Sequence, residues 1–364
     1  MCVQSDYMIE KNLLIDGVLL GEGARTFFIA DIGANHDGSL DRAKNLIWLA
    51  KESGANAAKF QHFTANKIVS NYGFSNFHDV ESHQSTWKKS VVATYEEVSI
   101  PHEWTAELKK TCDEAGITFL STPYDFDSVD HIDEHVSAYK LGSGDIDWLE
   151  LVKYISQKNK PLIISTGASN FEEIERLVNL LNGSVNSFAV LQCNTNYTAQ
   201  LENYSHINLR VIELFKETWP GLIVGLSDHS RGLAAVLGAV SLGAKIIERH
   251  FTDDINRDGP DHKFATTPSE WLTMVEEVRR LELALGKKQK EICENERVSA
   301  IVQRRCIRAN VDLEVGAKIR RSDLCVLRPA TEGSIRPNEI DLVVGRTLKV
   351  DLAAGMQLSW SDIE

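Results

Sequence analysis

Short β-rich runs alternate with longer amphipathic stretches along most of the chain, from about residue 26 onward. Eight runs are predicted as strands: FFIADIG (27–33), AAKFQHF (57–63), ITFLST (117–122), AYKLGSG (138–144), PLIIST (161–166), FAVLQCN (188–194), LIVGLS (222–227) and KIIERH (245–250). Between them, apolar positions recur with helical spacing in LDRAKNLIWLAKESG, WTAELKKTCDEAG and PSEWLTMVEEVRRLELALG. Each of these three stretches ends on a glycine, as helices often do.

Eight strand–helix units within about 260 residues are typical of a (β/α)₈ barrel. A doubly wound sheet is the main alternative, but such a sheet commonly carries a glycine-rich dinucleotide fingerprint. No G-x-G-x-x-G follows any of the predicted strands. We therefore predict an α/β fold built on a TIM barrel.

The pattern changes from about Lys287, where KKQKEICENERVSAIVQ is charged and resembles a linker. An internal repeat follows, VDLEVGAKIRRSDL (311–324) and VDLAAGMQLSWSDI (350–363), which indicates two pseudo-symmetric halves of a small β-rich domain. About 60 residues are marginal for independent stability, so we expect this domain to pack against the barrel or a partner subunit. The predicted boundaries are a barrel over 1–286, a linker over 287–302 and the small domain over 303–364.

The connection from Thr64 to Pro101 is unusually long for a barrel. Connections of this length in compact domains are either functional lids or carry extra short elements. The sequence is compatible with either structure for this segment.

Composition narrows the class of protein. The chain has 364 residues, 43 % of them hydrophobic and 25 % charged, and its longest apolar runs fall short of a membrane span. The opening MCVQSDYMIEKN lacks the features of a signal peptide, and the six cysteines show no CxxC pair, so we expect a cytoplasmic protein. A net charge of −13 argues against nucleic acid or an anionic membrane as partner. An anionic small substrate would need local basic residues, for which Lys59, Lys140, Lys263 and Arg328 are candidates.

Barrel enzymes place their reactive groups at the carboxyl ends of the strands. Here every predicted strand ends in polar side chains: Asp31 with Asn35 and His36; Lys59 with Gln61; Ser121 and Thr122; Lys140 with Ser143 and Asp145; Ser165 and Thr166; Gln192 with Asn194; Ser227, Asp228 and His229; Glu248 with His250. The number of polar side chains at these strand ends, more than any single residue, indicates a functional site at the carboxyl end of the barrel, which we call the mouth.

Lysines, hydroxyls and glycine-containing turns at these ends could bind a phosphate group. Lys59 and Lys140 would supply point charges, and Ser143, Ser165 and Ser227 would supply hydrogen-bond donors. The alternative is that both lysines simply reach solvent from the strand ends.

Two histidines end consecutive strands, His229 after LIVGLSD and His250 after KIIER. Together they could hold Mn, Zn or Fe, with water and substrate as further ligands, and such an ion would polarise a carbonyl oxygen. The alternative is a structural pair that is hydrogen-bonded in the barrel rim. Asp261 and Glu248 are candidates for binding sugar hydroxyls or for proton transfer, unless they are solvated surface carboxylates.

The remaining histidines are weaker candidates for ligands. His36 and His262 could serve either role. The others are expected at the surface or in the core: His62, His78, His83, His102, His131, His135 and His206.

Several motifs, taken in order, resemble the sialic acid synthase (NeuB-like) family. They are IADIGANHDGSL, AAKFQHF, FLSTPYD, YKLGSGD, IISTGAS, GLSDHS and IIERHFTDDINRDGPDHK. The C-terminal repeat resembles the SAF (antifreeze-like, β-clip) domain of these enzymes, so the resemblance covers nearly the whole chain. It implies an enzyme that condenses phosphoenolpyruvate with an open-chain N-acylated amino sugar, N-acetylmannosamine or a related 2,4-diacetamido hexose, and releases phosphate.

The resemblance also implies roles for single residues. His229 and His250 would bind a divalent ion, Mn²⁺ or alternatively Mg²⁺ or Co²⁺. Asp31, Glu248, Lys59 and Lys140 would be catalytic. The phosphoenolpyruvate site would comprise Lys59, Thr122, Lys140, Ser143, Ser165 and Ser227, and the sugar site Asp31, Gln61, Tyr197, Glu248, Asp261 and Arg328. Arg328 matches an arginine that family members lend to the partner's site, which implies a domain-swapped homodimer with the SAF domain over the partner's active site.

Three departures from the family pattern fall where the sugar should bind. A-D-I-G replaces the usual A-E-I-G, so the carboxylate of Asp31 reaches less far. Tyr197-Thr-Ala-Gln replaces Tyr-Pro-x-Pro, and Thr195 stands where many members have an amide. We therefore expect the reaction class to be kept and the acceptor to differ from N-acetylmannosamine.

Two other functions are possible for a barrel of this kind. Other phosphoenolpyruvate-dependent barrel synthases make 3-deoxy sugar acids from phosphorylated acceptors, but they lack the C-terminal repeat. A carbohydrate-binding pseudoenzyme would have lost the phosphate and metal positions, whereas Lys59, Lys140, His229 and His250 are all present.

Overall fold

The computed structural model of the protein describes residues 11–76, 83–183 and 187–364. The chain divides into two compact units, Met1–Gly286 and Lys287–Glu364. One of the six cysteines, Cys2, and one of the histidines considered above, His78, lie outside the described ranges.

Ten strands are described in the first unit: β1 (Asn12–Ile15), β2 (Val18–Gly21), β3 (Phe27–Asp31), β4 (Ala57–His62), β5 (Thr118–Pro123), β6 (Tyr139–Leu141), β7 (Leu162–Ser165), β8 (Phe188–Cys193), β9 (Ile223–Asp228) and β10 (Ile246–His250). Strands β3 to β10 are parallel and form a closed barrel, in which β10 pairs with β3. All eight strands of the predicted barrel are therefore confirmed, and their ends differ from the predicted ones by at most three residues.

Eleven helices are described in this unit: α1 (Leu40–Glu52), α2 (Ala65–Ile68), α3 (Asn71–Ser75), α4 (Val91–Val98), α5 (Trp104–Ala115), α6 (Phe126–Asp133), α7 (Leu149–Ser156), α8 (Phe171–Leu181), α9 (Val211–Thr218), α10 (Ala234–Ser241) and α11 (Pro268–Leu285). The three helices predicted from their spacing are α1, α5 and α11. Gly116 ends α5 in the left-handed conformation, and a capping box formed by Thr267 and Glu270 begins α11. Within the part of the chain that the structure covers, no helix combines the length and apolarity needed to cross a bilayer.

Alternate residues along the strands pack on opposite faces of the barrel wall, as the period of a strand requires. Phe28 and Ala30 of β3 belong to the large cluster between the wall and the helices. Phe27 and Ile29 belong to the cluster inside the barrel. The same period directs Asp31, the last residue of β3, towards the barrel interior.

A β-hairpin that the sequence analysis did not predict contributes to the interior cluster. β1 and β2 pair antiparallel around a turn at Asp16 and Gly17, both with positive φ. The hairpin's inner side chains Leu13, Ile15 and Leu20 are fully buried, in one cluster with inward-facing residues of the barrel strands. The hairpin therefore forms an apolar floor below the barrel interior.

Replacing Leu13 with alanine should lower the free energy of unfolding by about 2–5 kcal/mol, the range for truncating a buried leucine. Leu14 is the matched control, because it lies next in the same strand with 57 % of its surface exposed. Leu14→Ala should change stability by less than about 0.5 kcal/mol. Urea unfolding measures both, and equal losses in the two variants would contradict the floor.

The long connection after β4 contains short helices rather than an extended loop. It comprises α2, α3, a 3₁₀ turn at His83–Thr86 and α4. Residues 77–82 within it lie outside the described ranges. Of the two interpretations of this segment, the described part therefore shows extra short elements.

The second unit is small and β-rich. It contains α12 (Arg297–Val302), β11 (Cys306–Ala309), β12 (Leu324–Leu327) and α13 (Ile340–Val343), and β11 pairs antiparallel with β12. Residues 287–302, predicted as a linker, fall within this unit and include α12. Its core is a separate cluster of aliphatic side chains centred on Ile307, Ile335 and Leu358.

The internal repeat corresponds to a two-fold pseudo-symmetry of this unit. Leu313 and Leu352 occupy the same position in the two copies, and they exchange backbone hydrogen bonds of 2.9 and 2.8 Å. The copies therefore meet at equivalent residues.

Side chains repeat the same symmetry. The carboxylate of Asp312 accepts from the amide of Ala354, and that of Asp351 accepts from the amide of Val315, both at 2.7 Å. Each copy thus satisfies backbone donors of the other, which explains why the VDL motif occurs twice.

Candidate active site

Four oppositely charged side chains form a buried network at the carboxyl ends of the barrel strands. Lys59 Nζ lies 2.8 Å from Asp31 Oδ2 and 3.5 Å from Glu248 Oε1. Lys140 Nζ lies 3.4 Å from the same Glu248 oxygen. The strand register produces this arrangement, because Asp31 lies directly beside Lys59 on the neighbouring strand.

Hydroxyl groups surround the network. Lys140 Nζ donates to Ser165 Oγ at 2.7 Å, and Ser227 Oγ donates to Glu248 Oε1 at 3.2 Å. Ser143 Oγ accepts from the amide of Gly167 at 2.9 Å. Gly167 must lack a side chain, since a Cβ there would lie 2.4 Å from Thr195 Cγ2 and 3.0 Å from Ser143 Oγ.

Several buried polar atoms of the network have no hydrogen-bond partner within the described ranges. They are Asp31 Oδ1, Thr122 Oγ1 and Glu248 Oε2. Because such atoms are costly to leave unpaired, they indicate a place where a polar ligand binds. Lys59, Thr122, Lys140, Ser165 and Ser227 are all buried at this end of the barrel.

Charge sets the protonation of the network. Burial raises the pKa of Glu248, but the positive charges of Lys140 and Lys59 outweigh it and hold that pKa below its usual range. Burial lowers the pKa of Lys59, yet Asp31 and Glu248 raise it above its ordinary value. For Lys140 burial prevails over Glu248, so its pKa is lowered. Glu248 is therefore a carboxylate, and Lys140 is the lysine that gives up a proton more readily.

The two histidines lie beside this network with ring centroids 5.4 Å apart. His229 Nδ1 donates to the carbonyl of Asn194 at 2.9 Å, which leaves the lone pair on Nε2. His250 Nε2 lies 3.5 Å from Asp31 Oδ2, and its Nδ1 lies 3.6 Å from Asp261 Oδ2. The structure thus brings both imidazoles and two carboxylates together.

Aromatic rings cover the histidine pair. Tyr197 lies edge-on to His229 at 4.5 Å between centroids, and Phe264 lies 4.9 Å from His250. Burial raises the pKa of Tyr197 well above its ordinary value, so this phenol stays neutral. Phe264 was not predicted as a site residue.

The residue after Asp261, His262, is fixed by hydrogen bonds through both of its ring nitrogens. His262 is fully buried, with Nε2 2.8 Å from Asp37 Oδ1 and Nδ1 2.8 Å from Thr252 Oγ1. Arg257 donates to the other oxygen of Asp37 at 2.8 Å. Of the two roles considered for His262, the structure shows the structural one.

Gly33 allows Asp261 to approach the strand end. It has a φ of +47°, and a Cβ there would lie 3.0 Å from Asp261 Oδ2 and 3.4 Å from Gln61 Nε2. Asp261 Oδ2 also accepts from the amide of Ala34 at 3.3 Å. Gln61, Asp31 and Asp261 therefore converge at one place above β3 and β4.

A cavity of about 160 Å³ opens beside His250 and Asp261. Besides the predicted residues Gln61 and Tyr197, it is lined by side chains that the sequence analysis did not select: Ala34, Phe63, His83, Gln84, Trp87, Thr94, Tyr95, Val98, Tyr124 and Pro260. Six of these lie in the long connection between 83 and 98. The one feature of the sequence that could have pointed to these residues is the number of aromatic side chains in the connection after β4.

Other candidates lie elsewhere. His36 is buried, and burial lowers its pKa to about 4. His62, His102, His131 and His135 form a cluster of their own, in which the rings of His102 and His131 stack at 3.9 Å. Lys263 is exposed in the first unit, as is Arg328 in the second.

Asp145, at the end of the SGD turn after β6, has an unusual carboxyl group. Burial, and then the charge of Asp147, raises its pKa from 3.8 to about 6. Above pH 6 the Asp145 carboxylate is therefore charged in the folded protein, which costs stability. Below about pH 4 the carboxyl group is mostly neutral in both the folded and the unfolded protein.

Asp145→Asn should consequently raise the melting temperature at pH 7.5. The gain should fade as the pH falls from about 6 towards 4, where the wild-type group is neutral. Differential scanning calorimetry across this range tests it, and a gain that does not depend on pH would contradict the raised pKa.

A closed (β/α)₈ barrel with buried lysines, carboxylates and imidazoles at the carboxyl ends of its strands has the architecture of a barrel enzyme. The NeuB family model matches residues 46–290, and the SAF domain model matches residues 304–364. The chain therefore belongs to the NeuB family and carries a SAF domain, which confirms the predicted family and the predicted fold of both parts.

Relatives and solved structures agree with this assignment. The chain is 34 % identical to the N,N′-diacetyllegionaminic acid synthase of Legionella pneumophila over 362 residues, which cover 97 % of this chain and 99 % of the relative. It is 30 % identical to the N-acetylneuraminate-9-phosphate synthase of Homo sapiens, over 93 % of this chain and 92 % of the relative. The crystal structure of N-acetylneuraminic acid synthetase from Leptospira borgpetersenii, in complex with citrate, superposes with a TM-score of 0.70 and 27 % identity, over 80 % of this chain and 95 % of that one.

Proposed function

We propose that this protein is a nonulosonic acid synthase, which condenses phosphoenolpyruvate with an open-chain N-acylated amino sugar and releases phosphate. The observation that carries the proposal is the buried mouth where Lys59 and Lys140, with serine hydroxyls, lie beside His229 and His250. An anion site next to an electrophile site is what this reaction needs. The names of the relatives, synthases of nonulosonic acids, support the same product class.

The reaction forms one carbon–carbon bond and breaks one carbon–oxygen bond. C3 of phosphoenolpyruvate bonds to the aldehyde carbon of the sugar, which leaves an oxocarbenium centre at C2. Water adds to C2, and the adduct loses phosphate by cleavage of the C2–O bond to give a 2-keto acid. One proton of the water ends on the new hydroxyl group, and the other leaves with the phosphate.

The side chains of the network have distinct roles in this scheme. Lys59 and Lys140 bind the anionic groups of phosphoenolpyruvate, together with Thr122, Ser143, Ser165 and Ser227. The carboxylate of Glu248 lies between the lysines, where it stabilises positive charge at C2 and can accept a proton from the attacking water. Holding both substrates in the reactive orientation can lower the activation free energy by up to roughly 7–11 kcal/mol.

The sugar would bind on the side of the mouth where Asp31, Gln61, Tyr197 and Asp261 converge. Asp31 is already paired with Lys59, so its carboxylate is fixed at the boundary between the two substrates. Gln61 and Asp261 present an amide and a carboxylate for sugar hydroxyls. This arrangement supports an acceptor whose polar groups face β3 and β4.

A divalent metal ion fits the two histidines. His229 donates its Nδ1 proton to a backbone carbonyl, as metal-bound histidines commonly do, and His250 Nδ1 is buried without a hydrogen bond among the described residues. In the described ranges no three histidine, cysteine or acidic side chains are arranged so that together they could hold a metal ion, so in this proposal water and substrate supply the remaining ligands. We propose Mn²⁺, with Mg²⁺ and Co²⁺ as alternatives; a bound ion would polarise the aldehyde oxygen.

We further propose that two chains form a domain-swapped homodimer in which Arg328 reaches the partner's sugar site. Arg328 is exposed in the second unit and therefore accessible to another subunit. The cytoplasm is the proposed compartment, since the cysteines within the described ranges are all free thiols.

Lys140→Met should reduce phosphate release from phosphoenolpyruvate by at least about 100-fold, the loss seen when one stabilising donor is removed. Lys153→Met is the control, because Lys153 is exposed on α7. The assay couples phosphate release to mass detection of the 2-keto acid product, with circular dichroism to verify folding. Phosphate released without a carbon–carbon product, or full activity in Lys140→Met, would contradict the proposal.

His229→Gln should weaken Mn²⁺ binding by more than the about 10–100-fold that loss of an outer-shell partner costs. His206→Gln serves as the control, since His206 is exposed. Paramagnetic resonance of free Mn²⁺, titrated with each protein, measures affinity without recourse to activity. Equal affinity in the two variants would show that the histidine pair is structural.

A further inference from the structure

Arg249 is a buried arginine that lies between two site residues in the sequence, Glu248 and His250, but on the opposite face of the barrel wall. The carboxylate of Glu248 and the ring of His250 contact Lys59 and Asp31 in the mouth. Because side chains alternate along β10, Arg249 points outward, away from the mouth. Only 4 % of Arg249 is exposed to solvent. An arginine is rarely buried to this extent unless its guanidinium is paired, so its partners indicate its role.

The partners of Arg249 belong to β9 and to the segment that follows this strand. Arg249 Nε forms an ion pair with Asp228 Oδ2 at 3.4 Å, and these two residues lie side by side in the register of β9 and β10. Nη1 donates to the carbonyl of Gly232 at 3.0 Å, and Nη2 donates to the carbonyl of Ser230. One planar guanidinium therefore binds a carboxylate and two backbone carbonyls of a single short segment, residues 228–232.

His229 lies between residues that this arginine holds. The paired register of β9 and β10 ends at Asp228, so His229 is the first residue beyond it. Asp228 Oδ1 accepts from the amide of Ser230 at 2.9 Å, which fixes the backbone on both sides of the histidine. The ring itself donates to the carbonyl of Asn194. The direction of this imidazole therefore depends on the pair of Arg249 and Asp228 as well as on Asn194.

The surroundings of the pair make it a firm support. Asp228 is as deeply buried as Arg249, with 4 % of its surface exposed. Charges in such a place are screened little by salt, and loss of one partner leaves the other unpaired. A pair that only joined β9 to β10 would not need the guanidinium to bind Ser230 and Gly232, which lie beyond the end of β9.

We propose that Arg249, together with Asp228, is a positioning residue for the metal site. It holds residues 229–232 so that the ring of His229 stays beside that of His250, 5.4 Å away between centroids. The inference rests on the proposed metal ion, and it names a residue outside the mouth on which binding of that ion depends. Groups that fix the orientation of a metal ligand commonly have such an effect, although they do not touch the ion.

Arg249→Met should weaken Mn²⁺ binding by at least about 10-fold, the lower end of the loss for an outer partner of a metal ligand. The affinity for phosphoenolpyruvate should stay unchanged in metal-free protein, because Lys59 and Lys140 come from other strands, β4 and β6. Paramagnetic resonance of free Mn²⁺ measures the first affinity, and isothermal titration calorimetry with a chelator present measures the second. Neither measurement requires turnover.

Arg249→Lys separates charge from geometry. The lysine keeps a positive charge beside Asp228, which preserves the fold if the methionine variant does not fold. A single ammonium group cannot reproduce the planar fork that binds two carbonyls at once. This variant should therefore also lose at least about 10-fold in Mn²⁺ affinity.

Arg279 provides the matched control, because it has partners of the same kind at the other end of the barrel. It pairs with Glu282 at 2.9 Å and donates to the carbonyl of Thr26 at 2.9 Å, just before the first residue of β3. Arg279→Met should lower the melting temperature and leave the affinity for Mn²⁺ unchanged.

The outcomes distinguish this inference from the proposed metal site. Wild-type protein that does not bind Mn²⁺ would overturn the metal site, and the inference with it. Wild-type Mn²⁺ affinity in Arg249→Lys would overturn the inference alone, since charge would then suffice. An equal loss of Mn²⁺ and phosphoenolpyruvate affinity in the Arg249 variants, or a similar loss of Mn²⁺ affinity in Arg279→Met, would also overturn it, because the arginine would then serve only the stability of the barrel.

Discussion

The mouth of the barrel depends on the mutual neutralisation of four buried charges. Asp31, Lys59, Glu248 and Lys140 come from strands β3, β4, β10 and β6, and each is nearly inaccessible to water. Removing one partner from a buried ion pair costs about 3–5 kcal/mol, because the other charge stays unpaired. The four positions are therefore constrained together. Since they lie on different strands, the network also fixes how the strands are placed around the mouth.

The barrel itself could be predicted because its sequence signals are local. Each strand is a short apolar run with a polar end, and every barrel strand after β3 follows a helix. The floor was missed, although LLIDGVLLG contains Asp16-Gly17, a dipeptide favoured in tight hairpin turns, between two apolar runs. Nothing local showed that this hairpin packs below the barrel interior, since that contact joins residues far apart in sequence.

The contrast between local sequence signals and contacts that join distant residues also applies to the site. The polar residues predicted at the strand ends lie near one another in the structure, because parallel strands bring their carboxyl ends to one edge of the barrel. The aromatic cavity could not be predicted, because Trp87 and Tyr95 belong to a connection whose path the strand pattern does not determine. His83, which is expected at the surface or in the core rather than as a ligand, lies among the aromatic rings of this cavity, 5.7 Å from Tyr197. The repeat in the second unit was predicted as pseudo-symmetry, and its hydrogen bonds now give the reason.

The apolar floor formed by Leu13, Ile15 and Leu20 limits how ligands can enter and leave the barrel. With the opposite end filled by hydrocarbon, the barrel interior exchanges solvent and solutes only through its mouth. The lysine network lies among fully buried residues, whereas Tyr197 and Asp261 are partly open to solvent. A molecule bound at the lysines therefore leaves by the route that a molecule at the outer residues occupies. Binding and release are therefore ordered: the deeper ligand binds before the outer one and leaves after it.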